Sequence, residues 1–319
     1  MVNSLVMASG SYLPEKILTN KDLEQLVQTN EEWIVSRTGI TRRHIAAENE
    51  YTSDMATEAA KRAMAASAIS KDEVDLIIVA TTTPDKTFPS TAVIVQKNLG
   101  IIQGAAFDVQ AVCSGFIYAL SLADSLIKTG KAKIALVIGA DKMSSILDWT
   151  DRNTCILFGD GAGAVVLKAD QTSSKGIIDS KIYSDGRFTD ILYVDGGVSS
   201  SGTSGKIKMQ GKEVFKQASE KMASCVIDLL VKNSLNIGNI NYLIPHQANI
   251  RIMEMVRKSL NITEDHVIST VDIHANTSAA SIPLAYDKAS KDGILKSGQT
   301  IAMTALGAGL TWGAALVKI

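Results

Sequence analysis

Apolar runs of strand length alternate along the chain with segments whose apolar positions recur at helical spacing. Asp75-Leu76-Ile77-Ile78-Val79-Ala80 and Lys133-Ile134-Ala135-Leu136-Val137-Ile138-Gly139 are apolar almost throughout, the pattern of strands buried on both faces. Between them the spacing predicts a helix over 90–99 that stops at Gly100 and another over 114–129 that stops at Gly130. Strands alternating with helices predict an α/β fold with layers around a mostly parallel sheet.

The pattern occurs twice. The interval from Cys113 to Gly130 equals that from Asn276 to Gly293. Each segment starts with small polar residues, runs through a helical pattern, stops at glycine and leads into a hydrophobic strand, 133–140 in the first and 299–305 in the second. Upstream, 75–78 resembles 241–244; downstream, 159–168 resembles 307–318. The order predicts two duplicated halves, 1–170 and 171–319, joined at the polar stretch 170–176. In this register Cys113 and Asn276 occupy equivalent helix starts, both aimed at the junction, where ligand sites tend to form.

Composition removes several classes of function. With 46% hydrophobic residues and a net charge of -1 over 319 residues, the chain is neither disordered nor broadly basic, so nucleic acid is not an expected partner. No apolar run approaches the roughly 18 residues of a membrane span. Residues 1–12 carry no signal-peptide pattern. The three cysteines, Cys113, Cys155 and Cys225, form no disulfide framework and fit a reducing, cytoplasmic setting. Zinc-ligand spacings and a His-Glu-x-x-His motif are absent, so no metal is expected.

Cys113 lies where a predicted strand turns into a helix, in Asp108-Val109-Gln110-Ala111-Val112-Cys113-Ser114-Gly115-Phe116. A thiol at a helix N-terminus feels the positive end of the macrodipole, which favours thiolate. The same position equally suits a buried cysteine acting as a small hydrophobe. Cys155 and Cys225 have no such setting and read as structural. His246 follows a strand in Ile244-Pro245-His246-Gln247-Ala248-Asn249, and Asn276 opens a predicted helix in His274-Ala275-Asn276-Thr277-Ser278. Singly, one reads as a structural histidine and the other as an N-cap. With Cys113 and the repeat, three chemically useful groups gather at strand ends. His44 and His266 lack this context, and His274 reads as supporting. Gly159-Asp160-Gly161-Ala162-Gly163 leads into a strand, so it reads as a tight turn rather than a nucleotide loop. Small residues at Gly307-Ala308-Gly309 can bring backbone N–H groups near a reacting oxygen.

These motifs, together with Glu32-Trp33-Ile34-Val35-Ser36-Arg37-Thr38-Gly39-Ile40, Phe158-Gly159-Asp160 and Asn276-Thr277-Ser278-Ala279-Ala280, closely resemble the β-ketoacyl-acyl-carrier-protein synthase III family over essentially the whole chain. These acyltransferases initiate bacterial fatty-acid synthesis. The resemblance implies a thiolase-like five-layered α-β-α-β-α sandwich and a homodimer. It implies that Cys113 attacks a short acyl-CoA, most simply acetyl-CoA, and that the backbone N–H groups of Cys113 and Ala308 hold the oxyanion. His246 and Asn276 then donate to the enolate formed when malonyl-acyl-carrier protein loses CO₂. No cofactor is required.

The same resemblance places Trp33 and Arg152 on the adenine of CoA and Arg37 near its phosphates. Phe215, Ala248 and Asn249 would line the pantetheine path, with Thr29 and Gly211 as further contacts. Phe88 would reach into the acyl pocket of a second copy, favouring acetyl-sized primers. Two positions depart from the family pattern. Ala308 replaces a glycine and is expected to tolerate an unusual backbone angle less well. Leu306 replaces an aromatic and is expected to reshape the acyl pocket.

The spacing predicts a helix over 249–260 with Ile250, Met253, Val256 and Leu260 inward. Arg251 and Lys258 share its other face, with Arg257 nearby; this is either an ordinary solvated face or, as the resemblance implies, a docking surface for the acidic carrier protein. A Cys…His…Asn order also occurs in papain-like proteases, but their Cys-Gly-Ser-Cys-Trp signature is missing and a protease would not explain the duplication. The nearer alternative is a related thiolase-fold condensing enzyme of secondary metabolism.

Overall fold

Two mixed sheets carry the structure, a computed structural model that describes residues 2–319. The first has the strand order Asn3–Tyr12, Gly161–Asp170, Ile134–Asp141, Leu76–Ala80, Ala105–Val109. The second runs Gly176–Ser184, Thr311–Lys318, Thr300–Gly307, Tyr242–Pro245. The orders correspond strand for strand, and an isolated parallel bridge from Leu243 to Val267 stands where the fifth strand would be. The expectation of mostly parallel sheets is corrected. Only the ladders from Leu76–Ala80 to its two neighbours and from Tyr242–Pro245 to Thr300–Gly307 are parallel. The others are antiparallel: a short turn after Gly307 sends the next strand straight back, and the N-terminal strand enters against its neighbour.

Side-chain alternation sorts each strand between two helical layers. In the first sheet Leu76, Ile78, Val137 and Val165 face inward, while Ile77, Val79, Leu136 and Val166 pack outward against helices Thr52–Ser67 and Thr91–Leu99. In the second, Ile301, Met303 and Ala305 face inward; Ala302, Leu306 and Leu316 pack outward against helices Gly211–Lys232 and Ile250–Ser259. The middle layer is the helix pair Gly115–Lys128 and Ser281–Lys291, whose Phe116, Leu120, Ile282 and Tyr286 share one core with both sheets. This is the five-layered α-β-α-β-α thiolase arrangement. Each fully buried aliphatic side chain contributes about 2 kcal/mol. The turn 171–175, at the expected seam between halves, joins the last strand of the first sheet to the first strand of the second.

The helix over 91–99 is bounded as its sequence dictates. Ser90 caps its N-terminus by accepting from the Val93 N–H, and Gly100 ends it at φ 67°, where a Cβ is strained. The 159–163 segment is a packing device. Asp160 is buried and accepts from the Ala46 and Ser144 backbone N–H groups, and Gly161 opens the strand.

Candidate active site

The middle helices begin in the same way. Val112–Ser114 forms one 3-10 turn before Gly115–Lys128, and Ser278–Ala280 another before Ser281–Lys291. Val112 at φ 49° and Ser278 at φ 52° hold the same left-handed angle at the start of each turn. The repeat register read from the sequence therefore shifts by three residues. Cys113 corresponds to Ala279, and Asn276 lies just ahead of its turn. The turns meet at Gly115, where a Cβ would stand 3.5 Å from the Ala279 Cβ.

Cys113 is buried, with 5% of its surface exposed, and lines a cavity of about 940 Å³ with Ala308, Thr83, Phe158 and Leu192. Burial pushes its thiol up to about 12, the neighbouring Ser278 hydroxyl opposing that shift. The expectation that the helix start would lower this thiol is overturned, because removing the thiolate from water outweighs the short turn's dipole. Cys155 and Cys225 are also buried, and burial likewise raises them, to about 11 and about 12.

Gly307–Gly309 closes over the Cys113 turn. A Cβ on Gly307 would lie 2.6 Å from the Ala111 carbonyl oxygen and 2.8 Å from the Cys113 nitrogen. Thr311 Oγ1 lies 3.0 Å from the Ala111 oxygen and 3.1 Å from that of Ala308, and Ser114 Oγ donates to it at 2.8 Å. The left-handed angle of the loop falls on Gly309, φ 129°, while Ala308 keeps a negative φ. Alanine at 308 therefore fits without strain, contrary to expectation.

His246 continues from strand Tyr242–Pro245, its N–H donating to the Thr304 carbonyl at 2.8 Å. The ring is 2% exposed, and burial drives the imidazole down to about 3, so it is neutral. Its Nδ1 lies 2.6 Å from Ser281 Oγ. Asn276 Oδ1 accepts from the Ser278 N–H at 2.9 Å, which fixes the amide orientation and leaves Nδ2 as a donor. Asp141, fully buried, accepts from the Thr82 N–H and the Ala279 N–H and so ties the two halves behind Cys113. His274 is buried, and among the described residues its Nδ1 has no hydrogen-bond partner.

Helix Glu31–Thr38 packs on helix Ile250–Ser259, which packs on Gly211–Lys232; three expected CoA-binding segments thus share one region. The Trp33 ring carries the Arg152 guanidinium at 4.6 Å and that of Arg37 at 5.1 Å. Thr29 has a buried hydroxyl without a partner. Gly211 opens its helix, and Phe215 lies under the Arg251 guanidinium at 5.7 Å. Asn249 caps Ile250–Ser259 by accepting from the Ile252 N–H, with Ala248 beside it. None of these residues lines the 940 Å³ cavity.

Three expectations fail locally. Leu306 is buried in the outer core with Ala302 and Leu316 rather than in the cavity, because its place in the alternation turns it toward Gly211–Lys232. Arg257 is not a free docking cation: it forms a paired contact with Glu254 and donates to the Ile262 carbonyl. Ile252 rather than Ile250 takes the inward position on that helix. Phe88 is not among these: it is 82% exposed. Sequence reasoning missed Asp141, Ser281 and Thr311, whose partners lie far away in the chain.

A duplicated thiolase fold with a buried cysteine, a neutral histidine and an oriented asparagine at its junction defines a thiol-dependent condensing enzyme. Residues 107–186 match the family model for 3-oxoacyl-[acyl-carrier-protein] synthase III, and 230–319 match that of its C-terminal part. The beta-ketoacyl-[acyl-carrier-protein] synthase III of Wolbachia pipientis wMel is 57% identical over 318 residues, 99% of both chains. That of Rhodospirillum centenum is 54% identical over 320 residues, again 99% of both. The crystal structure of 3-oxoacyl-[acyl-carrier-protein] synthase III from Aquifex aeolicus VF5 superposes with a TM-score of 0.95 at 47% identity, covering 99% of this chain and 100% of that one. The chain belongs to the 3-oxoacyl-[acyl-carrier-protein] synthase III family.

Proposed function

We propose that this acyltransferase condenses a short acyl-CoA, acetyl-CoA in the first instance, with malonyl-acyl-carrier protein to start fatty-acid synthesis. The observation that carries the reading is the close packing of Gly307 on the Cys113 turn, with Ala308 lining the same cavity as the buried thiol. Cys113 Sγ attacks the thioester carbon as its S–H bond breaks, and that proton ends on the departing CoA sulfur. The Cys113 and Ala308 N–H groups stabilise the tetrahedral oxyanion, CoA leaves as its thiol, and acyl-Cys113 remains. Malonyl thioester then takes the site. Its carbon–carboxylate bond breaks, CO₂ departs, and the electron pair becomes an enolate whose oxygen accepts from His246 and Asn276 Nδ2. The enolate carbon attacks the acyl carbon and expels the Cys113 thiolate. Water is held off by the burial of all three side chains.

A purine entering between Trp33 and Arg152 would part a cation–π pair and replace it with stacking, while Arg37 would meet the phosphates and Thr29 would gain a hydrogen-bond partner. Gly211, Phe215, Ala248 and Asn249 would border the pantetheine. Arg251 and Lys258, both exposed, would meet the acidic carrier protein. The exposed Phe88 suits a homodimer in which it enters the partner's cavity and limits primer length. A cytoplasmic location fits the three unpaired cysteines. A primer panel from acetyl- to octanoyl-CoA with malonyl-acyl-carrier protein tests the reading. Acetyl-CoA should give the highest kcat/KM, and a preference for octanoyl-CoA would overturn the primer assignment.

A further inference from the structure

Ser281 Oγ has two partners among the described residues. It accepts from the Gln247 N–H at 3.4 Å and lies 2.6 Å from His246 Nδ1, and both side chains are 2% exposed. The Gln247 contact already brings a proton to this oxygen. The hydroxyl's own proton then has one acceptor within reach, the Nδ1 lone pair, and water is excluded from the pair. Among the described residues the His246 Nδ1 has Ser281 Oγ as its hydrogen-bond partner, and no carboxylate is paired with the ring to favour a proton on Nδ1.

We infer that Ser281 is a positioning residue that donates to His246 Nδ1 and thereby holds the neutral imidazole with its proton on Nε2. This rests on reading His246 as the donor to the enolate oxygen, and it explains how a neutral ring keeps a hydrogen facing the substrate. With the proton on Nδ1 instead, Nε2 would present a lone pair to the developing negative charge and repel it. Two backbone-anchored partners then set the two donors of the site. Ser278 N–H orients the Asn276 amide, and Ser281 O–H selects the His246 tautomer.

The test is a long-range ¹H–¹⁵N correlation spectrum of the full chain labelled with ¹⁵N-histidine. His246 is assigned by its loss in His246→Asn. The wild-type ring should show a bare Nδ1 and a protonated Nε2. Ser281→Ala should shift the ring toward a mixture of tautomers, and kcat for malonyl decarboxylation should fall about tenfold with little change in KM. Ser281→Thr, which keeps the hydroxyl, should restore both. A proton on Nδ1 in the wild type, or an unchanged tautomer in a folded Ser281→Ala, would overturn the inference. Normal decarboxylation by His246→Ala with the expected spectra would sink the donor reading while leaving the tautomer assignment intact.

Discussion

Gly307 packs on Cys113 so tightly that a Cβ on the first would stand 2.8 Å from the backbone nitrogen of the second. The pair joins the strand Thr300–Gly307 of one half to the nucleophile turn of the other. Gly307→Ala must move that turn, and a displacement approaching 1 Å costs on the order of 100-fold in a preorganised site. Acyl transfer to Cys113 should fall by that order, measured by acetyl loading in single turnover. Ala308→Gly should leave loading within about twofold and lower stability by about 0.5–1 kcal/mol through the freer unfolded chain. Equal losses in the two variants would contradict the loop geometry.

Asn276→Asp separates a donor from a mere cap. The new carboxylate can still accept from the Ser278 N–H, but it cannot donate as Nδ2 does. Malonyl decarboxylation should fall by roughly two to three orders of magnitude, as in Asn276→Ala and His246→Ala, the range for one missing oxyanion donor. Near-normal turnover by Asn276→Asp would assign Asn276 to the loop alone.

Acid should destabilise the fold through His246. Its folded pKa, about 3, lies below the ordinary histidine value of 6.5, so the unfolded chain binds the extra proton first as pH falls. The stability it supports is complete above pH 6.5 and is lost as pH drops toward 3. His274, lowered to about 4 by burial, acts in the same direction. Denaturant titrations between pH 6.5 and 4 should show His246→Gln with a shallower dependence by about 1.4 kcal/mol per pH unit. An unchanged slope would mean that the ring is charged or open to water.

Arg251 and Arg257 sit on one helix and should respond differently. Arg251→Glu should slow condensation with malonyl-acyl-carrier protein at low salt and spare self-acylation from acetyl-CoA, with the difference shrinking at high salt. Arg257→Ala should instead lower the melting temperature, since it breaks the Glu254 pair and the bond to the Ile262 carbonyl. A carrier-specific, salt-sensitive loss in Arg257→Ala alone would reverse these roles.

Local signals in the sequence hold where the physics is local. The helix start near Ser90, the Gly100 stop and the strand runs 75–80 and 133–139 needed only neighbouring residues. The duplication was legible, but its register was not. Helix Gly115–Lys128 has 14 residues and Ser281–Lys291 has 11, so matching their glycine stops shifted the two turns against each other. Strand direction and the facing of Leu306 depend on register with remote strands, which periodicity does not carry. The pairing of Arg257 with Glu254 stands at helical spacing and was open to reading. Ser281 was not, because its role rests on contacts with His246 and Gln247, more than one element away.

The most direct measurement is acetyl transfer to Cys113 itself. Purified protein is incubated with acetyl-CoA alone, and its peptides are mapped by mass spectrometry. The account predicts one acetyl group per chain, on Cys113, lost on adding malonyl-acyl-carrier protein, and none in Cys113→Ser, whose hydroxyl ionises far less readily than a thiol. Acetylation at Cys155 or Cys225, or condensation at a near-wild-type rate by Cys113→Ser, would contradict it.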